Sequence, residues 1–338
     1  MRKYAGLACY IGIRQNKFSA AFPVPYLRFR TGCARWRCNS GRILRMEQTP
    51  AWNKEALLQS PLFAPLRPIL AGIAGDGFPT LQDCNALLDA AAGCESGSSP
   101  ITVQSGARLR FVPQEFGKLP FEKQYEPRCY LNGEVPTRAD NWHDLFNALV
   151  WLTFPKAKAA INARHYHALM EQGEVGDVAT GSERGAVRDV NTLLDESGVI
   201  VVYVDAQLAG LLQGFKWKEL FWQRRAQVQA GHFDGLRTGM GFYLFGHGLY
   251  EKALQPYVGM TGQGLLLAVE QEFFSWPSSR QLSHLDQLLA DYLAEPGHCR
   301  STRDLSPVPL LGVPGWAEDN EDPAYYDNIK YFRPGRRA

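Results

Sequence analysis

Apolar residues recur every three to four positions along much of this 338-residue chain, which is the spacing of helices that pack one face on a core. The clearest case is Arg280–Leu293, in which four leucines form one continuous apolar face. The same spacing predicts helices over Trp52–Gln59, Leu81–Ala92, Trp142–Thr153, Lys156–Met170, Ala206–Leu212, Lys216–Gln229 and Phe242–Leu254.

Two of these helices follow each other with almost no linker. Asn141 is a suitable N-cap for the first, and Pro155 stands where proline is favoured, at the first position of the second. We therefore expect a tight antiparallel helical hairpin with its joint at Phe154 and Pro155.

Alternating apolar and polar residues predict a few strands. Ile101–Val112 is typical of a strand pair that turns at Gly106. Val187–Leu194 and Val199–Val204 are predicted as two strands joined by the turn sequence DESG, while Gln263–Phe274 fits a strand or a helix. The expected fold class is therefore α+β, a mainly helical single domain with a small antiparallel sheet.

Composition narrows the class of protein. Hydrophobic residues make up 45% and charged residues 21%, as in ordinary soluble globular proteins. No apolar run reaches the roughly 18 to 20 residues that a membrane helix needs, so we expect no membrane association. The seven cysteines include no CxxC pair, which argues against a thiolate zinc site and indicates reduced thiols in the cytoplasm.

The charge is unevenly distributed. Residues 1–45 contain ten Lys or Arg and no Asp or Glu, whereas the remaining 26 basic and 34 acidic residues carry a net charge of −8. The basic segment fits a targeting peptide, a nucleic-acid-binding arm, or translation upstream of a true start at Met46. We expect residues 1–45 to be disordered or foreign to the native protein, and residues 46–338 to form one globular domain. An acidic domain argues against nucleic-acid binding except through the 1–45 segment.

Polar residues gather on the two helices of the predicted hairpin. His143 and Asn147 are four apart and Asn162 and His165 are three apart, so each pair shares a helix face. Together they are candidates for binding a metal or an anion, with His143 and His165 as metal ligands and Asn147, Asn162 and Arg164 as substrate contacts. The alternative is that these groups only cap helices and satisfy loop backbone.

A second polar group surrounds the predicted DESG turn. Arg188, Asp189 and Glu196 are candidate catalytic residues, because a charge that points inward from a half-buried strand needs a partner or a function. Acidic residues are also common at turns for purely local reasons, and a structural salt bridge explains this group equally well.

His247 and Glu251 form the third group, at positions i and i+4 of a predicted helix. This spacing suits two ligands of one metal, although it is also an ordinary pair on a helix surface. The second histidine of HExxH is missing, so a zinc protease of that type is excluded. Phosphate-binding GxxxxGK[ST], dinucleotide-binding GxGxxG and the esterase GxSxG are also missing.

Several unusual words occur in order along the chain: YEPR, VPTR, NWHDLFNALVWLTFPKAKAAINARH, RDVNTLLDESG, FGHGLYEKAL, LLGVPGW and YFRP. In these words, which extend over about Trp52–Arg337, the chain resembles the bacterial family known as domain of unknown function 3025. The resemblance implies a soluble bacterial protein, leaves residues 1–45 outside, and assigns neither an activity nor a site.

The leading hypothesis is a cytoplasmic metal-dependent hydrolase. His143, His165, His247 and Glu251 would hold a divalent metal, and a carboxylate would serve as base for the metal-activated water. Its ligand would be a small molecule or a peptide. The rival hypothesis is a non-catalytic binding or scaffold protein in which the same polar groups only tie helices together.

Overall fold

The computed structural model describes residues 36–37, 43–44, 50–93, 100–174, 181–229 and 239–335. The chain divides into two compact units, Met1–Ala51 and Trp52–Ala338. In the first unit, strands β1 (Trp36–Arg37) and β2 (Ile43–Leu44) pair antiparallel. The expectation that residues 1–45 are disordered or foreign otherwise lies outside the described residues.

The second unit is mainly helical, as predicted. Its α-helices are α1 (Lys54–Gln59), α2 (Arg67–Gly72), α3 (Leu81–Gly93), α4 (Tyr125–Asn132), α5 (Trp142–Thr153), α6 (Pro155–Glu174), α7 (Gly181–Ser197), α8 (Ala206–Gln213), α9 (His247–Ala253) and α10 (Ser278–Ala294). The two helices of the predicted hairpin are confirmed as α5 and α6, with Phe154 alone between them. The predicted cap is also confirmed, because the side chain of Asn141 accepts a hydrogen bond from the Asp144 amide at 3.0 Å.

The main sheet is mixed, so the antiparallel part of the prediction is only partly correct. Its strands are β5 (Gly198–Tyr203), β6 (Val228–Gln229), β7 (Met240–Leu244), β8 (Thr261–Ala268) and β9 (Ser306–Pro309), in the order β6-β7-β5-β8-β9. The central strand β5 runs antiparallel to β7 and parallel to β8. A parallel neighbour needs a long crossover connection, and α8, β6, β7 and α9 lie between β5 and β8 in the sequence.

A second, smaller sheet pairs β3 (Arg110–Pro113) with β4 (Glu134–Thr137) in parallel. The strand pair expected within Ile101–Val112 is reduced to a single bridge between Thr102 and Arg108. Gly106 does mark the turn between them, with a φ of 89° that favours glycine.

The prediction of a strand over Val187–Leu194 is wrong, because these residues belong to α7. Val190 and Leu194 are fully buried and four apart, which is helical spacing. The glycine after DES ends this helix, since a methyl group at Gly198 would lie 2.2 Å from the Leu194 carbonyl oxygen. DESG is therefore a helix C-terminus followed directly by β5 and not a hairpin turn.

Two more predicted helices are only partly helical. Phe242–Leu254 divides into the end of β7 and α9, with Gly246 between them. Lys216–Gln229 contains a π-helical turn at Glu219–Gln223, a 3-10 turn and β6. The ambiguous Gln263–Phe274 begins as strand β8. For Phe242–Phe245 and Leu265–Leu267, a short apolar run gives no periodicity that separates a strand from a helix.

Helix α5 runs through the core. All of its residues are buried except His143 and Thr153. Trp142 stacks on Trp52 and Phe146, with ring centroids 5.5 and 5.3 Å apart, and Phe146 stacks on Tyr250 of α9 at 5.8 Å. A helix that is apolar on nearly every side must be surrounded by other elements. His143 is therefore one of its few side chains that reach the surface.

Among the described helices, none combines the length and apolar composition needed to cross a membrane.

The start of α6 is capped from outside. Phe154 precedes the helix and has no side chain that can accept a hydrogen bond, and Asp286 of α10 accepts from the amides of Lys156 at 3.2 Å and Ala157 at 2.9 Å. We predict that Asp286→Ala lowers the free energy of unfolding by about 1 to 2 kcal/mol in urea denaturation. Gln287→Ala removes two exposed contacts, with Lys156 and Asp291, and should change the free energy of unfolding by less than about 0.5 kcal/mol. Equal losses would contradict the capping role.

The carboxylate of Asp286 also makes the stability of the protein depend on pH. Burial raises the pKa of Asp286 to about 6 from an ordinary value near 3.8, against the two amide hydrogen bonds. Between these values the folded protein holds a proton that the unfolded chain has released, so this group's stabilisation falls as the pH rises. Relative to Asp286→Asn, which does not titrate, the wild type should lose stability between about pH 4 and pH 6 and change little above pH 6. A constant difference in urea midpoints over that interval would contradict the assignment.

Candidate functional site

Four of the predicted site residues meet in one cluster. His143 of α5, Glu196 of α7, and His247 and Glu251 of α9 converge, although more than 100 residues separate the first from the last. The two histidine Nε2 atoms are 3.1 Å apart, and Glu196 Oε1 lies 3.6 Å from that of His143 and 3.5 Å from that of His247. Glu251 Oε2 lies behind this triangle, 3.1 Å from Nδ1 of His143.

The pairing of β5 with β7 brings two of these residues together. Val199 lies opposite Leu244 in the antiparallel register. Glu196 stands three residues before Val199, and His247 stands three residues after Leu244, so each is displaced equally beyond the same end of the strand pair. Because α7 runs directly into β5 and α9 closely follows β7, the two side chains meet just past the sheet.

Close approach of these two segments depends on glycine. A methyl group at Gly246 would lie 2.4 to 2.6 Å from the backbone of residues 196–198, and one at Gly248 would lie 2.5 Å from Glu196 Oε2. The amide of Gly246 donates a hydrogen bond to the Gly198 carbonyl at 2.9 Å. The two glycines that flank His247 therefore let the start of α9 contact the end of α7.

Each of the two imidazoles has a carboxylate on its Nδ1 side. Nδ1 of His143 faces the Glu251 carboxylate, and Nδ1 of His247 faces Oδ2 of Asp195 at 3.6 Å, a distance for charge attraction rather than a hydrogen bond. A metal ion bound to both Nε2 atoms would require the proton of each neutral imidazole to lie on Nδ1, on the side of these carboxylates. The two Nε2 atoms and a Glu196 oxygen lie close enough together to bind one metal ion.

Charges around the cluster reinforce one another. The hydrogen bond to Glu251 raises the pKa of His143, with Glu196 adding to the effect against desolvation. Burial tends to raise the pKa of Glu196, but the contact with His247 and the charges of His247 and His143 hold it below its usual value. Burial likewise opposes the Lys158 and His247 charges at Asp195, whose pKa is lowered. The carboxylates of Glu196 and Asp195 are thus held in their charged form.

Behind His247 lies a buried polar chain. Nζ of Lys158, on α6, contacts Asp195 Oδ1 and donates to Asn147 Oδ1 at 2.8 Å. The Asn147 amide donates in turn to the Tyr125 hydroxyl at 2.7 Å. Asn147, predicted as a substrate contact, therefore supports the site from inside.

Other predicted residues lie away from the triangle. Asn162 donates to Glu126, and Arg164 binds three backbone carbonyls of residues 293–299. His165 is buried on α6 and close enough to Asp195 to contribute to its low pKa. On α7, Arg188 is half-buried and Asp189 is exposed; Asp189 lies about 10 Å along the helix from Glu196, since each residue advances about 1.5 Å.

Sequence analysis missed Lys158 and left Asp195 without a role. One signal was available: a lysine within the small apolar run AKAAINA at Ala157–Ala163 faces the core, and it shares a helix face with Asn162 and His165. The partner signal on α7 was hidden, because that segment was predicted as a strand.

Comparison with known proteins identifies one family. The family model described as protein of unknown function (DUF3025) matches residues 109–336. The cluster residues of α5, α7 and α9 all fall within this range. No curated protein matches the chain at a significant level. No solved structure does so either.

The packing around His247 can be tested with one methyl group. We predict that Gly246→Ala lowers the free energy of unfolding by roughly 2 to 3 kcal/mol, because the added carbon would meet rigid backbone. Gly210→Ala, in helix α8, is the matched control: an added methyl there has no described atom within 4 Å, and alanine should stabilise the helix by about 0.5 to 1 kcal/mol. Similar urea midpoints for the two variants would show that the close approach is wrong.

Proposed function

We propose that this chain, which belongs to the DUF3025 family, binds a zinc-type divalent cation between His143, Glu196 and His247 and uses it to hydrolyse a small-molecule or peptide substrate. Glu251 and Asp195 support the two imidazoles from behind. Of the metal ligands expected from sequence, His143 and His247 keep that role, Glu251 moves behind His143, and His165 is outside the ligand set.

One observation carries the proposal, namely the size of the ligand triangle. Its edges are 3.1, 3.5 and 3.6 Å. Zinc binds nitrogen and oxygen ligands at about 2.0 to 2.1 Å, and a tetrahedron with such bonds has edges of about 3.3 to 3.4 Å. The three atoms therefore have the spacing of one face of a tetrahedral zinc site.

Charge supports a divalent ion. Glu196, Glu251 and Asp195 are three carboxylates in contact with the two imidazoles, and Lys158 is the ammonium in contact with Asp195, so these groups carry a net charge of −2 when the imidazoles are neutral. A divalent cation makes the cluster neutral. Partly buried charges that lack compensation are costly, so a cation here stabilises the fold as well as the site.

The arrangement fits a catalytic zinc site better than a structural one. Structural sites use four protein ligands, whereas catalytic sites use three, such as two histidines and a glutamate, and keep one position for water or substrate. The side chains of His143 and Glu196 are 31% and 42% exposed, so solvent reaches the triangle. A bound cation would lower the pKa of a water in the fourth position to about 7 and so supply the nucleophile. Arg188 and Asp189 have no part in this step.

The rival function is a non-catalytic binding or scaffold protein. The polar chain from Tyr125 through Asn147 and Lys158 to Asp195 favours it, because these bonds join α4, α5, α6 and α7.

A cytoplasmic location is part of our proposal, supported by the buried free thiols of Cys84, Cys129 and Cys299.

Metal binding is the first test. We predict that metal-free protein takes up one equivalent of zinc in calorimetric titration, and that His143→Ala, His247→Ala and Glu196→Gln each abolish it. Glu251→Gln should weaken binding about 10- to 100-fold, as loss of a partner behind a ligand does. His167→Ala, at an exposed histidine on α6, is the control and should bind like the wild type. Binding that survives all three ligand substitutions would place the metal elsewhere.

Hydrolysis is the second test. Zinc-loaded protein should turn over at least one class in a panel of nitrophenyl esters, phosphate esters and peptides. Turnover should stop on treatment with a chelator and return with zinc, and Glu196→Gln should lack it throughout. Zinc binding that raises the melting temperature without turnover of any class would instead support the scaffold function.

A further inference from the structure

Lys158, which lies behind the triangle of His143, Glu196 and His247, is unusual because its side chain is buried. Lys158 is only 3% exposed, although lysine is rarely buried without a reason. Its ammonium contacts the carboxylate of Asp195 and the amide oxygen of Asn147, and it lies 5.5 Å from the ring of Trp151. The ammonium is therefore held in place between the Asp195 carboxylate and the Asn147 amide oxygen.

Asp195 connects this lysine to His247. Oδ1 contacts Lys158, while Oδ2 lies 3.6 Å from Nδ1 of His247. That Nδ1 is buried and has no hydrogen-bond partner within the described residues. A shift of a few tenths of an ångström would bring it within hydrogen-bond range of Asp195. Each imidazole thus has a carboxylate on its Nδ1 side, Glu251 for His143 and Asp195 for His247.

We propose that Lys158 is a positioning residue that holds the Asp195 carboxylate against Nδ1 of His247 and thereby fixes the tautomer and orientation of that imidazole. The inference rests on the proposed function in treating His247 as a metal ligand. Lys158 has no contact with the triangle itself, so its effect on metal binding must pass through Asp195.

The physical reason is electrostatic. Asp195 precedes Glu196 directly in the chain and is largely buried, so two neighbouring carboxylates repel each other near one imidazole. The ammonium of Lys158 compensates the charge of the Asp195 carboxylate. The carboxylate can then accept a hydrogen bond from Nδ1 of His247. Without the ammonium, nothing would hold the Asp195 carboxylate in place and it could turn toward solvent, so that Nδ1 would lose its acceptor.

A purely structural salt bridge between α6 and α7 would involve the same contacts, so the variants must separate the two roles. Lys158→Met leaves Asp195 as a buried unpaired charge and should destabilise the fold. The double variant Lys158→Met/Asp195→Leu replaces the pair by apolar groups, which usually restores stability. If Lys158 positions His247, the double variant should regain stability without regaining zinc affinity.

Zinc affinity, measured by competition with a chelator, should fall about 10- to 100-fold in Lys158→Met and in the double variant. Lys156→Met is the matched control, because it removes an exposed lysine two residues away on the same helix and should bind zinc like the wild type. A double variant with wild-type affinity would overturn the proposal.

A second measurement needs no metal. Histidine nitrogen resonances of the metal-free protein, assigned with His247→Gln, should show a proton on Nδ1 of His247 in the wild type and in Lys156→Met. In Lys158→Met, which keeps Asp195, and in the double variant the proton should shift toward Nε2. An unchanged His247 tautomer would overturn the role of Lys158. Failure of the wild type to bind zinc would overturn the proposed function alone, since the tautomer comparison still decides what Lys158 does.

Discussion

The candidate site depends on the antiparallel register between β5 and β7. Each strand connects with almost no linker to a helix, β5 from α7 and β7 into α9, so the register also fixes where those helices end and begin. Glu196 and His247 are therefore held opposite each other by backbone hydrogen bonds. A shift of one residue in this register would turn the buried strand side chains to the wrong face, so the packing of the sheet protects the geometry of the site.

Electrostatics explains why the fold tolerates so many carboxylates at one place. Lys158 lies on the inner side, where solvent cannot screen the charge of Asp195, whereas Glu196 and Glu251 are 42% and 48% exposed. The negative charge of the buried Asp195 is therefore compensated by a buried ammonium. The more exposed Glu196 and Glu251 contact imidazoles and solvent instead. The remaining negative charge lies around the triangle of His143, Glu196 and His247, where the proposed cation would bind.

Sequence alone could predict the helical hairpin of α5 and α6, because its start signals are local: a capping asparagine and a proline at the first helical position. It also identified His143, Glu196, His247 and Glu251 as candidates, from their chemistry and spacing. It could not show that they meet, because that depends on a strand register set by non-local pairing. The strand assigned to Val187–Leu194 also hid the position of Asp195 in the last turn of α7, since DESG has the composition of a turn and here ends a helix. Lys158 was missed because a lone lysine in a small apolar run gives no sign of its partner.

Rigid support also bears on which ion the triangle would select. His143 lies in the first turn of α5, which is fixed by the Asn141 cap and by Trp142 packed between aromatic rings. Its imidazole and that of His247 come from helices that cannot easily separate. Calcium needs six to eight oxygen ligands at about 2.3 to 2.6 Å, and magnesium prefers oxygen ligands and retains several waters. Two nitrogen atoms and one carboxylate oxygen at tetrahedral spacing instead suit zinc and the neighbouring transition metals, so preorganisation and ligand chemistry favour the same class of ion.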